Sequence, residues 1–229
     1  MPINSRFLTS IPNATAALVF ADGQLIFQHI EDGIEYAKIV TPAAAHAAFR
    51  HAGVDSGWLE PGTVRWGISH KGAWAMQLIH PDSERTLLFE RTLDDDPFPD
   101  QLTLHLPPLV LAGINSTYHL WALHEVEATA HTPLYYAPFP NVYGGEHICF
   151  GNNSVPTVEQ DGMRQAMRLF CEAPFGQTSI QNKSKRHPQD VRRMLKEVAA
   201  SHSPYPVDDL VPYENKRTTL DDVLVRLLA

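Results

Sequence analysis

The spacing of apolar residues changes character once along this chain, and that change limits the folds open to it. From Ala16 to Leu123 apolar residues come in strand-length runs cut by Gly, Pro or Asp-rich turn signals; from Thr157 onward they recur three and four residues apart. Short runs of that kind fit strands and the later spacing fits amphipathic helices, so the chain is expected to be α+β with its strands first.

Asp22-Gly23 and Asp32-Gly33 each separate runs rich in Val, Ile, Leu and Phe. Turns of this composition tolerate positive φ at both central positions, which predicts a three-stranded meander ending at Val40. Thr41-Pro42, the alanine-rich stretch to His51 and then Gly53 predict a short helix with a cap, a first-turn proline and a stop. Beyond Gly62, the runs 64–69, 73–79, 85–91, 102–106, 109–114 and 118–123 predict an antiparallel sheet. Asp94-Asp95-Asp96 reads as a solvated loop, because consecutive carboxylates repel and cannot all face one ion.

Three helices are expected to finish the chain. The first runs from Thr157, with Gln160 completing a capping box and Met163, Ala166, Met167 and Phe170 on one face. The second opens near Pro188 and buries Val191, Met194, Leu195 and Val198; the third follows Thr219 with Leu220, Val223, Leu224 and Leu227. The expected parts are 1–61, a meander with a short helix; 62–175, a core holding an irregular loop; and 176–229, a helical extension.

With 229 residues, 44% of them hydrophobic, there is enough apolar material for a buried core. Acidic residues exceed basic ones by 26 to 18, for a net charge of −8, which argues against nucleic acid as a partner. No apolar run reaches the ~18 residues a spanning helix needs, and 1–12 lacks the build of a secretory signal, so the expectation is a cytoplasmic protein with no membrane partner. Lys183, Lys185, Arg186, Arg192, Arg193 and Lys196 form a basic concentration read as a solvated helix face, with docking to an acidic partner as the alternative. Among 12 histidines, His119, His124 and His131 with Glu125 and Glu127 are the densest group. They lack a metal-binding spacing, so no metal and no cofactor is expected.

Chemistry is sought in the stretch after Leu123, where no periodic pattern holds for about 30 residues, since long ordered loops are often functional. There, Tyr136 to Asn152 brings an asparagine amide and a thiol into one proline- and glycine-shaped segment. A thiolate is a competent nucleophile, and an asparagine N–H can stabilise the oxyanion formed when a thioester is attacked. Read from the residues alone, Cys149 between Ile148 and Phe150 is more commonly a small buried hydrophobe. His147 shares a face with Cys149 only if no bulge intervenes, in which case it can lower the thiol pKa. Asn152 and Asn153 either bond near the site or shape the loop. Cys171, beside Phe170, reads as a packing residue.

The segment Phe139-Pro140-Asn141, followed by Gly145-Glu146-His147-Ile148-Cys149-Phe150, resembles ubiquitin-conjugating enzymes, whose His-Pro-Asn motif precedes the catalytic cysteine with the same Asn-to-Cys spacing. Thr132 to Tyr135 and Ala137 to Val142 also resemble protein B of the prokaryotic PRTRC plasmid cassettes. The resemblance implies an α+β, ubiquitin-conjugating-like fold: an antiparallel β-meander with C-terminal helices, here with an extra N-terminal β-rich region. It implies that Cys149 accepts the C-terminus of a ubiquitin-like modifier from an adenylating activating enzyme and passes it to an amine, with Asn141 as oxyanion donor and Phe139, Pro140, His147 and Asn152 in the loop. Phe139 stands where the family has His, a side chain that there orders the loop, so Phe139 would do this by packing. That departure keeps open a catalytically inactive, conjugating-like adaptor serving assembly within its cassette. A hydrolytic cysteine enzyme with a histidine base is a further rival, supported only by the abundance of histidine.

Overall fold

A computed structural model describes residues 16–31, 33–49, 59–69, 71–81, 84–91, 98–159, 161–215 and 217–229. The expectations placed on 1–12, Asp32, the helix end at His51 and Gly53, the acidic run 94–96 and the capping role of Gln160 lie outside the described residues. The chain divides into two compact units, Met1–Gly57 and Trp58–Ala229.

In the first unit β1 (Ala16–Ala21), β2 (Gln24–Glu31) and β3 (Ile34–Val40) form an antiparallel meander, followed by α1 (Pro42–Phe49). Asp22 and Gly23 both take positive φ (49° and 73°), as an Asp-Gly hairpin turn requires.

The second unit is built on a five-stranded antiparallel sheet in the order β10-β9-β8-β5-β4. Its strands are β4 (Thr63–Ser69), β5 (Gly72–Ile79), β8 (Leu109–Ile114), β9 (Thr117–Ala122) and β10 (Tyr135–Tyr136). The central strand β8 is covered on both faces, which is why it reads as an unbroken apolar run. Leu109 and Leu111 enter one core with Tyr118, Leu120, Phe139, Met163 and Leu195. Val110 and Ala112 enter the other with Trp121, Leu134, Leu220 and Leu224. Alternation along β8 thus divides the unit into layers, with α2 (Gly162–Glu172) and α3 (Val191–Ser201) on one side and α4 (Leu220–Leu228) on the other.

Two sequence expectations are corrected. The runs 85–91 and 102–106 do not join the main sheet; β6 (Glu84–Leu88) and β7 (Gln101–His105) pair only with each other. Leu87, Leu102 and Leu104 turn into the first core, where α2 packs on β6 and α3 on β7, so burial against helices replaces burial in the sheet. The helix expected from Thr157 starts at Gly162 instead. Val158 N–H donates to the Asn115 carbonyl and the Tyr118 hydroxyl donates to the Pro156 carbonyl, which holds 156–158 off the helix. The first amides of α2, those of Met163 and Arg164, are capped by the Glu60 carboxylate at 3.2 and 2.9 Å. The apolar face 163, 166, 167 and 170 is buried as read.

The second terminal helix starts at Val191, capped by Asp190 rather than opened by Pro188, and the third has a Thr219–Asp222 capping box. No helix among the described residues is long and apolar enough to cross a membrane.

Candidate functional site

The approach to the loop is fastened along its length. Leu134 N–H donates to Thr218, Tyr136 N–H donates to Val211, and Tyr135–Tyr136 pair with Trp121–Ala122 of β9. The chain then leaves the sheet, turns through Ala137–Gly145 and returns to the same edge of β9 further along. There Leu120 N–H donates to the Glu146 carbonyl, Ile148 N–H donates to the Tyr118 carbonyl, and His147 bridges His119.

The loop closes on itself as a small hairpin. Val142 pairs with Ile148; Cys149 N–H donates to the Asn141 carbonyl (2.8 Å), Tyr143 N–H to His147 (3.0 Å) and Glu146 N–H to Tyr143 (2.8 Å). Alternation follows directly: Val142 and Ile148 point into the core and are completely or almost completely buried, while Tyr143, His147 and Cys149 lie on the opposite face. No bulge intervenes, so His147 and Cys149 share a face. Cys149 is partly exposed, whereas Cys171 packs against the first core and burial pushes its thiol up to about 11.

From the outer face inward the rings form a series that ends on the buried Trp121. Tyr143 stacks on His147 (6.1 Å between centroids, 11°), His147 meets His119 edge-on (5.6 Å), and His119 stacks on Trp121 (5.7 Å). Burial holds the His119 pKa below its ordinary value. The Tyr143 hydroxyl lies against the Cys149 thiol, and that contact raises the Tyr143 pKa.

Asn141 sits at φ +60°, in the left-handed region. Its Nδ2 donates to the Pro174 carbonyl (3.1 Å) and its Oδ1 accepts from Gly176 N–H (3.2 Å). One of its two amide hydrogens is thus used to tie the loop to the segment after α2. Phe139 is fully buried, edge-on to Phe170 (5.8 Å) and stacked with Phe175 (6.2 Å). Pro140 is buried beside it; Asn152 is exposed in the following turn, where Asn153 and not Asn152 bonds the Phe150 carbonyl.

Three residues of this geometry, Lys183, Glu146 and Tyr143, were missed in the sequence. Lys183, read there as part of a solvated basic face, is 3% exposed and donates to the carbonyls of Phe139 and Val142. Its partners are backbone atoms some forty residues earlier, so no sequence signal existed. Of the other basic residues, Arg186 pairs with Glu197 at the surface and Arg192 with Asp190 in a largely covered position. Glu146 was quoted in the motif and given no role, yet it is fully buried at φ +60°. Tyr143 was also given no role: a two-residue Gly144-Gly145 turn would place it on the face opposite His147 and Cys149, whereas the observed turn through 144–146 pairs Tyr143 with His147 and brings the three together.

Compared with known families, residues 35–213 match the model of a family described as Prokaryotic E2 family D. No curated protein and no solved structure matches the chain.

Proposed function

The chain belongs to prokaryotic E2 family D, whose match covers well over half of it, and on that premise we propose that Cys149 is the acceptor of a ubiquitin-like modifier. Cys149 Sγ gives up its proton and attacks the acyl carbon of the modifier's C-terminus, which an adenylating activating enzyme presents in activated form. The bond from that carbon to its leaving group, AMP or the activating enzyme's thiolate, breaks as the Cys149 thioester forms. An incoming amine then displaces that sulfur, forming an amide and losing one proton. Splitting the acyl transfer in this way replaces one difficult step by two easier ones.

The observation that supports this reading is the placement of Cys149 on the outer face of the hairpin, against the Tyr143 hydroxyl, with Val142 and Ile148 buried behind it. Each tetrahedral intermediate carries an oxyanion. We assign it to the Asn141 N–H not engaged by Pro174 and to the Tyr143 hydroxyl, donors of the kind worth ~3 kcal/mol in other acyl transfers. His147 orients Tyr143 by stacking, and Phe139 with Pro140 holds the loop by packing. The finer reading keeps the PRTRC cassette as setting, the cytoplasm as location, and 1–61, 62–175 and 176–229 as functional parts.

One observation favours the adaptor alternative: both ends of the Asn141 carboxamide already have structural partners. A charging assay with ATP, activating enzyme and modifier separates the two. The enzyme reading expects an adduct on a non-reducing gel that collapses with thiol and is absent in Cys149→Ala. Binding of modifier without an adduct supports the adaptor.

A further inference from the structure

Phe139 has no polar side-chain atom, so it can hold the loop only by packing. The carbonyls of Phe139 and Val142 are nonetheless buried, and buried carbonyls need donors. The Lys183 ammonium supplies both. Its backbone is fixed on each side, Asn182 N–H donating to the Pro188 carbonyl (2.7 Å) and Lys185 N–H to the Asp209 carbonyl (3.0 Å). The side chain therefore reaches the loop from an anchored base.

An ammonium this deep is costly without an acidic counterpart. The buried Glu146 carboxyl favours the ammonium only when ionised, a state that its own burial opposes; its Oε2 accepts from Ala137 N–H at 2.8 Å. Glu146 also occupies the left-handed position that glycine fills most easily, although Gly144 and Gly145, which stay outside that region, are its immediate neighbours. A strained non-glycine residue beside two unstrained glycines marks a side chain kept for what it does.

We infer that Lys183 and Glu146 are a positioning pair that grips the Cys149 loop from inside the protein, Lys183 bracketing Asn141 through the carbonyls of residues 139 and 142 and Glu146 fixing the turn to Ala137. This rests on the reading of Cys149 as acceptor given above. The grip is exerted on the buried side of the hairpin, and its consequence is on the exposed side. Val142 pairs with Ile148, and the Asn141 carbonyl receives Cys149 N–H, so loosening residues 139–142 frees the thiol from its place beside Tyr143. Burial pulls the Lys183 ammonium down to about 8 and pushes the Glu146 carboxyl up to about 8, each partly opposed by the other.

The test is Lys183→Met in a Cys171→Ala background, read by native-state amide exchange and by iodoacetamide labelling of Cys149. Exchange of the Tyr143 and Cys149 amides should accelerate about tenfold or more, with β8 unchanged and labelling faster in parallel. In charging assays kcat should fall about tenfold or more at unchanged KM for the activating enzyme. Lys183→Arg, which keeps the charge and the donors, should restore most of the protection. Unchanged loop exchange, or equal acceleration in β8, overturns the inference. If Lys183→Met does not fold, Lys183→Arg decides: wild-type loop protection supports the pair, and failure to fold there too makes Lys183 a general fold requirement and overturns it. Exchange and labelling need no modifier, so a wild-type chain that never charges would sink the acceptor reading while leaving this one standing.

Discussion

The Asn141 carboxamide brackets Phe175, donating to the carbonyl of the residue before it and accepting from the N–H of the residue after it. Phe175 in turn stacks on Phe139 and is held to the end of β6, its N–H donating to Leu88 and its carbonyl accepting from Glu90. The loop that carries Cys149 is thereby fastened to the helical side of the second unit by one amide and one ring.

Removing the amide tests that fastening. Asn141→Ala loses two hydrogen bonds and, at φ +60°, the short polar side chain that makes asparagine more tolerant of the left-handed region than alanine, for a cost of about 2–3 kcal/mol. Asn141→Gly loses the same bonds without the backbone strain, so it should be the more stable of the two by about 1 kcal/mol. Urea denaturation of both variants checks the order; a less stable glycine variant would contradict it.

Phe139 is committed to packing. Phe139→Ala should cost about 3–5 kcal/mol by opening a cavity against Phe170 and Phe175. Phe139→His, which installs the residue of the related motif, should also destabilise, because an imidazole at a fully buried apolar site needs a partner that the surrounding rings do not offer. Denaturation midpoints decide this, and a histidine variant as stable as wild type would refute it.

Tyr143 offers a cleaner probe of chemistry. The ring is exposed and its stack on His147 survives Tyr143→Phe, so stability should change by no more than about 0.5 kcal/mol. Single-turnover discharge of the charged protein should slow about tenfold or more as the hydroxyl beside Cys149 is lost. Discharge at the wild-type rate would remove Tyr143 from the mechanism.

The buried Glu146 carboxyl makes stability depend on pH. Its folded pKa is raised to about 8 from 4.5, so between those values the unfolded chain releases a proton that the folded chain keeps. Stability from this group is full below pH 4.5 and is lost as pH rises toward 8, by up to ~1.4 kcal/mol per unit. Lys183 acts in the opposite sense only above pH 8, where the folded protein loses its proton before the unfolded chain does. Glu146→Gln should therefore match wild type near pH 5 and exceed it near pH 8 in urea melts. A gap that shrinks with rising pH would show the assignment to be wrong.

Periodicity is a local property, and what it encodes was legible in the sequence: the meander, the strands of the main sheet other than the two-residue β10, and the buried faces of α2, α3 and α4. The Asn-to-Cys spacing and the loop's punctuation likewise identified the segment that became the candidate site. Only the tertiary structure decided that β6 and β7 leave the sheet, that α2 is capped by Glu60, and that Lys183 is buried under the loop rather than solvated. Each of these is a contact between a side chain or strand and backbone distant in the chain. Spacing along one segment cannot reveal it, because the backbone carbonyl or N–H that serves as partner is common to nearly every residue type.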